Sequence, residues 1–264
     1  MTEPGPIVLL TDFGARDGYV GVMKGVILRI NPRASIVDLS HDIAPQDVGG
    51  AAFVLGTSYR FFPSRSVFVA VVDPGVGGSR RAVAIETGDV SFVGPDTGIF
   101  SWVLDELKLS DYRAVELTAR CYWLAVTSAT FHGRDVFAPV AAHLSLGVPI
   151  ANLGPSASDL VTLRLPRPRP VDGGVEGEII RIDRFGNLIT NIREADISWL
   201  DRPAFEVAGH RLVGLRPSYE ETSDIGAILG RAGLIEIAVR NESAAEAIGA
   251  GVGTKVLVRQ VDGR

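Results

Sequence analysis

Residues 67–81 read VFVAVVDPGVGGSRR, and this stretch indicates how the chain folds. Its first six residues, Val67–Val72, are all apolar, which is typical of a strand that is buried on both faces of a sheet. Asp73 follows the strand directly, and the loop after it carries three glycines and two arginines. Strands of this kind occur in parallel sheets covered by helices, in which ligands bind beyond the carboxyl ends of the strands.

The same pattern extends through the first 165 residues. Further strands are predicted at Ile7–Thr11, Ser35–Leu39, Ala82–Glu86, Ser91–Val93 and near Val115. Helices are predicted at about Tyr19–Ile30, Asp47–Tyr59, Gly98–Leu107 and Val136–Leu146. Near-continuous apolar strands that alternate with helices predict an α/β N-terminal domain, residues 1–165, with a mainly parallel central sheet flanked by helices.

The composition changes at residues 165–174, which read LPRPRPVDGG. Proline fixes φ and favours an extended backbone, so residues 166–174 are predicted to form a semi-rigid linker. Beyond the linker, short strands alternate with glycine-rich turns, and only Ala244–Ile248 has a helical pattern. This pattern predicts a smaller all-β C-terminal domain, a barrel or sandwich, over residues 175–264.

Charge and composition exclude several classes of protein. The chain has 26 Lys or Arg against 31 Asp or Glu, a net charge of −5, so it lacks the basic field of a nucleic-acid-binding protein. The longest apolar runs are far shorter than the roughly 20 residues that span a membrane. Cys121 is the single cysteine, which excludes an intramolecular disulfide. With no signal-peptide pattern at Met1–Pro6, we expect a cytoplasmic protein.

Four polar segments follow or precede predicted strands and helices, where an open α/β sheet places ligands. In the first, the carboxylates of Asp12 and Asp17 suit the hydroxyls of a ribose, but either could instead cap the following helix. In the second, Asp73 and a following arginine suit either a ligand site or a structural ion pair, and its glycines would let a ligand approach the backbone. The string matches neither a dinucleotide-binding fingerprint nor a P-loop.

The other two segments are equally open. Residues 130–135 read TFHGRD and contain His132, one of four histidines; a lone histidine is more often structural, and its spacing from Asp135 predicts no metal site. Asp183–Asn187, DRFGN, contains turn-forming residues, but it could equally offer an amide edge and an aromatic face to a purine.

Taken together, the motifs Asp12-Phe13-Gly14, Val72–Gly77 with Arg80, Phe131–Asp135 and Phe185-Gly186-Asn187 resemble the S-adenosyl-L-methionine hydrolase (adenosine-forming) family, relatives of the fluorinase and chlorinase enzymes. The resemblance runs from about Ile7 to Val258. It implies displacement at the ribose C5′ of S-adenosyl-L-methionine by water or hydroxide, which yields adenosine and L-methionine. It implies no cofactor and a homotrimer whose active sites lie between subunits.

The resemblance also assigns roles to residues of this chain. The catalytic group would be Asp73, Arg80 and His132, with Arg80 preferred to Arg81 because it lies seven residues after Asp73, as in the family. The substrate-binding residues fall into groups for the ribose (Asp12), the methionine part (Asp17 and Asp183), the adenine (Phe185 and Asn187) and the closure of the C-terminal domain on the base (Val239 and Arg240). One departure is Arg231-Ala232-Gly233, where the family often has a hydroxyl-bearing residue in place of Ala232.

Two other functions compete with hydrolysis. A halide-dependent synthase would use the same substrate, but the related halogenases replace the aspartate at position 73 with an aromatic or small residue, since a carboxylate repels a halide. The chain could also be a non-catalytic sensor of adenosine or S-adenosyl-L-methionine. The intact set of Asp73, Arg80 and His132 argues against such a sensor.

Overall fold

The structure is a computed structural model that describes residues 5–107, 111–222 and 224–261. It divides into two compact units, Met1–Arg164 and Leu165–Arg264, each with its own hydrophobic core. Among the described residues, no helix combines the length and the apolar character needed to cross a membrane.

The described part of the first unit contains six strands and four α-helices. In chain order they are β1 (Ile7–Thr11), α1 (Tyr19–Ile30), β2 (Ile36–Ser40), α2 (Val48–Gly56), β3 (Val67–Val71), β4 (Ala82–Thr87), β5 (Ser91–Pro95), α3 (Ser101–Glu106), β6 (Tyr112–Glu116) and α4 (Ala138–Ser145). The strand order is β2-β1-β3-β5-β4-β6. The strands β2, β1, β3 and β5 are parallel, and β4 runs antiparallel to both of its neighbours, β5 and β6. The predicted α/β domain with a mainly parallel sheet is confirmed.

Strand β3 shows why its sequence is apolar at every position. Val67, Val69 and Val71 belong to the core that includes residues of α1 and α4. Phe68 and Ala70 belong to the core that includes residues of α2 and α3. Because both faces of the sheet are covered, the alternation of polar and apolar residues typical of a half-exposed strand is absent.

In open α/β sheets a crevice forms where the strand order reverses, and here the order reverses between β1 and β3. These two strands are parallel neighbours, with Ile7 paired to Val67 and Thr11 to Val71, while β2 lies on the other side of β1. The chain therefore leaves β1 towards one edge of the sheet and returns towards the other. Ligands in open α/β sheets bind at this kind of reversal, and here it lies beside Asp12 and Asp73.

The second unit is strand-rich. Its elements are β7 (Arg169–Val171), β8 (Gly174–Ile182), β9 (Leu188–Arg193), α5 (Glu194–Ile197), β10 (Pro203–Val207), β11 (His210–Val213), β12 (Leu215–Arg216), β13 (Ile225–Leu229), β14 (Leu234–Val239), α6 (Ala244–Ile248) and β15 (Lys255–Gln260). The main strand order is β11-β10-β15-β8-β9-β14-β13-β12, and β7 pairs with β8. This nearly barrel-shaped sheet confirms the predicted all-β architecture.

Three local predictions need adjustment. The second unit holds a short helix, α5, in addition to the one predicted at Ala244–Ile248. The predicted linker, 166–174, contains β7, in which Pro170 lies opposite Val175. Proline is tolerated there because β7 pairs on one side only and does not need a second row of donors. The helix predicted from Val136 starts earlier, because a π-helix over Gly133–Phe137 leads directly into α4.

Candidate active site

Three side chains from separate parts of the first unit meet beyond the carboxyl end of β3. Asp73 follows β3 after one residue, Arg80 ends the glycine-rich loop before β4, and His132 immediately precedes the π-helix. The loop and the helix start thus bring a carboxylate, a guanidinium and an imidazole together at the edge of the sheet where ligands are expected.

Asp73 and Arg80 form a bidentate ion pair. The Arg80 Nε lies 2.8 Å from Oδ1 and 3.1 Å from Oδ2 of Asp73, and Nη2 lies 2.5 Å from Oδ2. The two side chains are only 6% and 11% exposed, for Asp73 and Arg80 respectively. A pair so shielded from water is held in one geometry, since either partner alone would be a costly buried charge.

Arg80 also fixes the protonation of His132. Its Nη2 lies 2.7 Å from His132 Nδ1. A guanidinium can only donate, so Nδ1 accepts this hydrogen bond and carries no proton, and the neutral ring is protonated at Nε2. Burial lowers the pKa of His132, and the charge of Arg80 lowers it further, against opposite contributions from Asp73, Asp135 and the Ser128 backbone. The imidazole is therefore neutral at pH 7, with Nε2–H as its donor.

The glycines of the Asp73–Arg80 loop serve packing within the protein. Gly77 has φ +75°, and a Cβ there would overlap the carbonyl oxygen of Ala129. A Cβ at Gly75 would lie 3.0 Å from Cγ of Arg80. The close approach that these glycines allow is thus the packing of the loop against the segment before His132.

The neighbouring arginine has a separate partner set. Arg81 Nη2 lies 2.6 Å from Oδ2 of Asp96, and its Nη1 lies 2.7 Å from Oδ1 of Asp159. Asp96 follows β5 and also accepts a hydrogen bond of 2.8 Å from the backbone N–H of Val161. Arg81 therefore ties the end of the first unit to its sheet, and Arg80 alone of the two contacts His132.

Asp12 lies beside the crevice between β1 and β3, held by a hydrogen bond of 2.8 Å from the backbone N–H of Gln46 to its Oδ2. Asp17 is exposed in the loop before α1. The helix is preceded by Gly18, and no side chain caps its N-terminus. The alternative that Asp12 or Asp17 caps α1 is therefore wrong, and both carboxylates keep oxygen lone pairs available.

An aromatic cluster next to His132 escaped the sequence analysis. Phe13, Tyr19 and Phe131 contact one another with ring centroids 5.2 to 5.8 Å apart. The Cβ that Gly133 lacks would lie 3.3 Å from both Phe13 and Phe131. The available signal was that Phe13 and Phe131 directly follow and precede the motif residues Asp12 and His132. The cluster gives this end of the sheet an apolar wall beside the polar triad.

In the second unit, Asp183 organises the turn between β8 and β9. Its Oδ1 accepts hydrogen bonds from the backbone N–H groups of Phe185 (2.8 Å) and Asn187 (2.9 Å), and its Oδ2 accepts one of 2.9 Å from Asn187 Nδ2. The turn interpretation of DRFGN thus describes what these residues do in the structure. The Phe185 ring is 76% exposed, so its face is open to a planar ligand.

The remaining predicted residues lie at the end of β14. Val239 is packed in the core of the second unit, whereas Arg240 is exposed and its backbone N–H donates to the Thr222 carbonyl at 3.1 Å. Glu236 on the same strand was not predicted as a site residue; it is 5% exposed and accepts a hydrogen bond of 3.0 Å from the Tyr219 hydroxyl. Burial raises the pKa of Glu236 and raises that of Tyr219 to about 12.

The structure thus joins Asp73, Arg80 and His132 in one hydrogen-bonded group and joins Asp183 with Asn187 in another. Residues 7–154 match the SAM hydroxide adenosyltransferase N-terminal domain, and residues 177–257 match the corresponding C-terminal domain. This chain belongs to the SAM hydroxide adenosyltransferase family.

Three similar proteins place the chain within this family. It is 43% identical over 252 residues to an (R)-S-adenosyl-L-methionine hydrolase of Thermus thermophilus, covering 92% of this chain and 95% of that protein. A fluorinase of an Actinoplanes species is 31% identical and covers 72% of each chain. The crystal structure of an uncharacterized conserved protein from Thermotoga maritima superimposes with a TM-score of 0.89, at 34% identity, over 96% of this chain and 100% of the other.

The departure from the family pattern at residues 231–233 lies in the turn between β13 and β14. Gly230 N–H donates to the Leu234 carbonyl at 2.9 Å, and Gly233 has φ +70°. Arg231 is exposed in this turn, and its charge lowers the pKa of Glu236 against the effect of burial. A cationic side chain therefore stands next to the position where the family often carries a hydroxyl.

Proposed function

We propose that this protein hydrolyses S-adenosyl-L-methionine to adenosine and L-methionine by attack of water or hydroxide at the ribose C5′. The observation that carries the proposal is the hydrogen-bonded group of Asp73, Arg80 and His132 at the ligand-binding edge of the sheet. The identity to a curated hydrolase over nearly the whole chain supports it.

The reaction makes modest demands on the protein. An oxygen–C5′ bond forms, the C5′–sulfur bond breaks, the sulfur leaves as a neutral thioether and one proton is lost from the attacking water. Because the leaving group is neutral, no general acid is needed, and the proposed reaction proceeds without a cofactor. The site has to orient the oxygen in line with the C5′–sulfur bond and accept one proton, which is mainly a matter of positioning.

The hydrogen-bond pattern divides these two tasks between the triad members. His132 accepts from Arg80 at Nδ1, so its Nε2–H is the donor with which it would orient the attacking oxygen. Asp73 is the anion of the group, and its Oδ1 accepts only one of the Arg80 hydrogen bonds. A carboxylate oxygen has two lone pairs, so Oδ1 retains one for the proton of the water. Asp73 is therefore the base in this scheme.

Substrate binding is proposed to involve both units. Asp12, at the crevice, would hold the ribose hydroxyls, and the exposed Asp17 would attract the ammonium group of the methionine part. In the second unit, the Phe185 face and the Asn187 amide would bind adenine, with Val239 and Arg240 beside them. Asp183 would attract the ammonium group through lone pairs left free by its turn.

A homotrimer in the cytoplasm, with each active site completed by a neighbouring chain, would account for the division of these residues between two units. Light scattering coupled to size-exclusion chromatography gives the subunit number directly. A monomer that turns over at full rate would contradict this part of the proposal.

The test is incubation of the purified protein with S-adenosyl-L-methionine in heavy-oxygen water, first without halide and then with chloride or fluoride. Hydrolysis at C5′ predicts adenosine that carries the heavy oxygen at its 5′-hydroxyl. A 5′-halo product would instead indicate a halogenase, and tight binding without turnover would indicate a sensor; either outcome would refute the proposal.

Variants of two buried aspartates connect the activity to the triad. Asp73→Asn keeps the shape of the side chain but removes the base, and it should lower kcat by about 10²- to 10⁴-fold, the usual contribution of general-base catalysis. Asp96→Asn is the matched control, since Asp96 is also a buried aspartate paired with an arginine but contacts no member of the triad. It should retain activity.

A further inference from the structure

Asp135 is the only side chain of the TFHGRD motif whose exposure is zero. Its Oδ1 lies 2.5 Å from Arg134 Nε, and its Oδ2 lies 2.9 Å from Arg134 Nη2 and 2.8 Å from the Ser128 backbone nitrogen. A carboxylate without contact with water is strongly destabilising unless it is fully paired, so the hydrogen bonds to Asp135 are needed to keep this charge inside the protein. Burial alone would raise the pKa of Asp135, but the hydrogen bonds from Arg134 and Ser128 outweigh it and lower the pKa.

We propose that Asp135 is a positioning residue for His132, which it holds through the segment Leu124–Phe131. This inference rests on the proposed function for its catalytic consequence, although the positioning itself can be measured on the resting protein.

The first step is the attachment of the segment to Asp135 at its two ends and in its middle: the Asp135 N–H donates to the Phe131 carbonyl at 3.1 Å. The Leu124 N–H donates to the Asp135 carbonyl at 2.9 Å, and the Ser128 N–H donates to the Asp135 carboxylate. Ser128 Oγ in turn accepts a hydrogen bond of 3.0 Å from the Phe131 N–H. The backbone from 124 to 131 is therefore closed into a loop on Asp135, and His132 is the next residue along the chain.

The second step is the contact of this loop with the triad. The Ser128 backbone interacts with the His132 ring, and the Ala129 carbonyl packs against Gly77 in the loop that carries Arg80. Moving the 124–131 segment would therefore move His132 and Arg80 relative to each other. Their 2.7 Å hydrogen bond, which sets the tautomer of His132, depends on both positions.

The third step is the π-helix that presents Asp135. The Ala138 N–H donates to the Gly133 carbonyl, five residues back, and this wider turn begins directly after His132. π-turns are uncommon and are found frequently at functional sites. Here the turn lets His132 face Arg80 while Asp135, three residues later, points into the protein towards Ser128.

Charge gives the inference a distinctive readout. The charged groups that act on His132 are Arg80, which lowers its pKa, and Asp73 and Asp135, which raise it. Asp135→Asn removes one of the two anions and should lower the pKa of His132 further. Arg134→Gln keeps Asp135 but removes its cationic partner, so the uncompensated carboxylate should raise the pKa of His132. Because these charge effects act through space, the positioning itself is tested by the Nδ1 signal of His132, which should change in Asp135→Asn, where the hydrogen bond from Arg80 is disturbed, and should stay unchanged in Asp96→Asn.

The experiment is an NMR titration of the imidazole signals in the wild-type protein and in the variants Asp135→Asn, Arg134→Gln and Asp96→Asn. The chain has four histidines, so a His132→Gln sample assigns the signal of interest. Asp96→Asn is the matched control because Asp96 also accepts hydrogen bonds from an arginine and from a backbone N–H. We expect opposite shifts at positions 135 and 134 and none at position 96.

The pH dependence of kcat/KM supplies the second measurement. Activity requires the unprotonated Nδ1, so the acidic limb should move to lower pH in Asp135→Asn and to higher pH in Arg134→Gln. In Asp135→Asn, kcat itself should fall on the order of 100-fold, the loss that a displacement of about 1 Å causes.

Equal acidic limbs of the pH profile in Asp135→Asn and Asp96→Asn, with equal His132 titrations, would overturn the inference. Absence of turnover in the wild type would refute the proposed function only, because the NMR titration still tests the positioning. If Asp135→Asn does not fold, Arg134→Gln decides, and an unshifted His132 in that variant overturns the inference.

Discussion

Replacing Arg80 by lysine tests whether the fork of the guanidinium, and not merely its charge, is needed for catalysis. Arg80 uses Nε and Nη2 to reach both oxygens of Asp73, and Nη2 also reaches His132. Lysine carries its charge on one nitrogen and cannot occupy both positions at once. Arg80→Lys therefore keeps a cation near Asp73 but loses the contact with His132 and one arm of the fork.

The size of the effect follows from these contacts. A hydrogen bond that involves a charged group contributes about 1.5–3 kcal/mol, so losing two costs about 3–6 kcal/mol, or roughly 10²–10⁴-fold in kcat/KM if both persist in the transition state. His132 is also released from its Nε2–H tautomer, because no obligatory donor faces Nδ1 any longer. We expect most of the loss in kcat, since the triad contacts the reacting oxygen.

Arg81→Lys is the matched control. It removes the fork of the adjacent arginine, which holds the buried Asp96 and the exposed Asp159. The pair with Asp159 contributes little in water, so the expected cost is about 1–3 kcal/mol of unfolding free energy, mainly from Asp96. Activity per folded molecule should remain near that of the wild type.

The assay measures adenosine release by chromatography, alongside urea unfolding of each variant. We expect Arg80→Lys to be folded but nearly inactive, and Arg81→Lys to be active but less stable. If folded Arg80→Lys keeps kcat/KM within tenfold of the wild type, the bidentate fork is not what positions His132, and the division of roles within the triad is wrong.

Two further predictions concern stability. Gly186 has φ +83°, and a Cβ there would overlap Ser243, whereas Gly209 has φ +81° and nothing within 4 Å of its Cβ position. Both Gly→Ala changes therefore strain the backbone, but only Gly186→Ala also creates an overlap, which should lower the free energy of unfolding in urea by about 1–3 kcal/mol more. Equal losses in the two variants would contradict the packing seen around Gly186. Burial lowers the pKa values of His132 and His143, and the charge of Arg80 lowers that of His132 further. The unfolded chain therefore binds more protons than the folded one, and the free energy of unfolding should fall as pH drops from the ordinary histidine pKa of 6.5 towards the lower pKa values of the folded state. His143→Gln should reduce this dependence in urea unfolding at a series of pH values, and an unchanged slope would show that His143 does not contribute.

The fold was largely predictable because the signals that define it are local. The unbroken apolar run at 67–72 indicates burial on both faces, and the two cores on either side of β3 explain it. Helix α6 was predicted with its observed bounds, Ala244–Ile248, and the structure shows why it begins and ends there: the Ser243 side chain accepts a hydrogen bond from the Glu246 N–H, and Gly249 adopts a left-handed conformation. The strand β7 was missed because alternate prolines are rare in strands, and only an edge position tolerates them.

The candidate site was less accessible from residue types alone. Both arginines follow Asp73 at similar distance, and only the family spacing preferred Arg80; the three-dimensional contacts separate them. The role of Asp135 depends on its complete burial and on a hydrogen bond to Ser128, seven residues earlier. No local pattern reports either property, because they arise from the path of the loop between the two residues.

Among the described residues of the first unit, three buried aspartates pair with an arginine: Asp73 with Arg80, Asp96 with Arg81 and Asp135 with Arg134. The pair alone therefore does not identify an active site. What differs is the further group that each guanidinium contacts. Arg81 contacts the exposed carboxylate of Asp159, Arg134 lies 5.0 Å from the ring of Phe131, and Arg80 contacts the imidazole of His132. The first two contacts fix the backbone. The third contact sets the protonation of a side chain that titrates near neutral pH, and this direct contact distinguishes the pair at Asp73 from the other two.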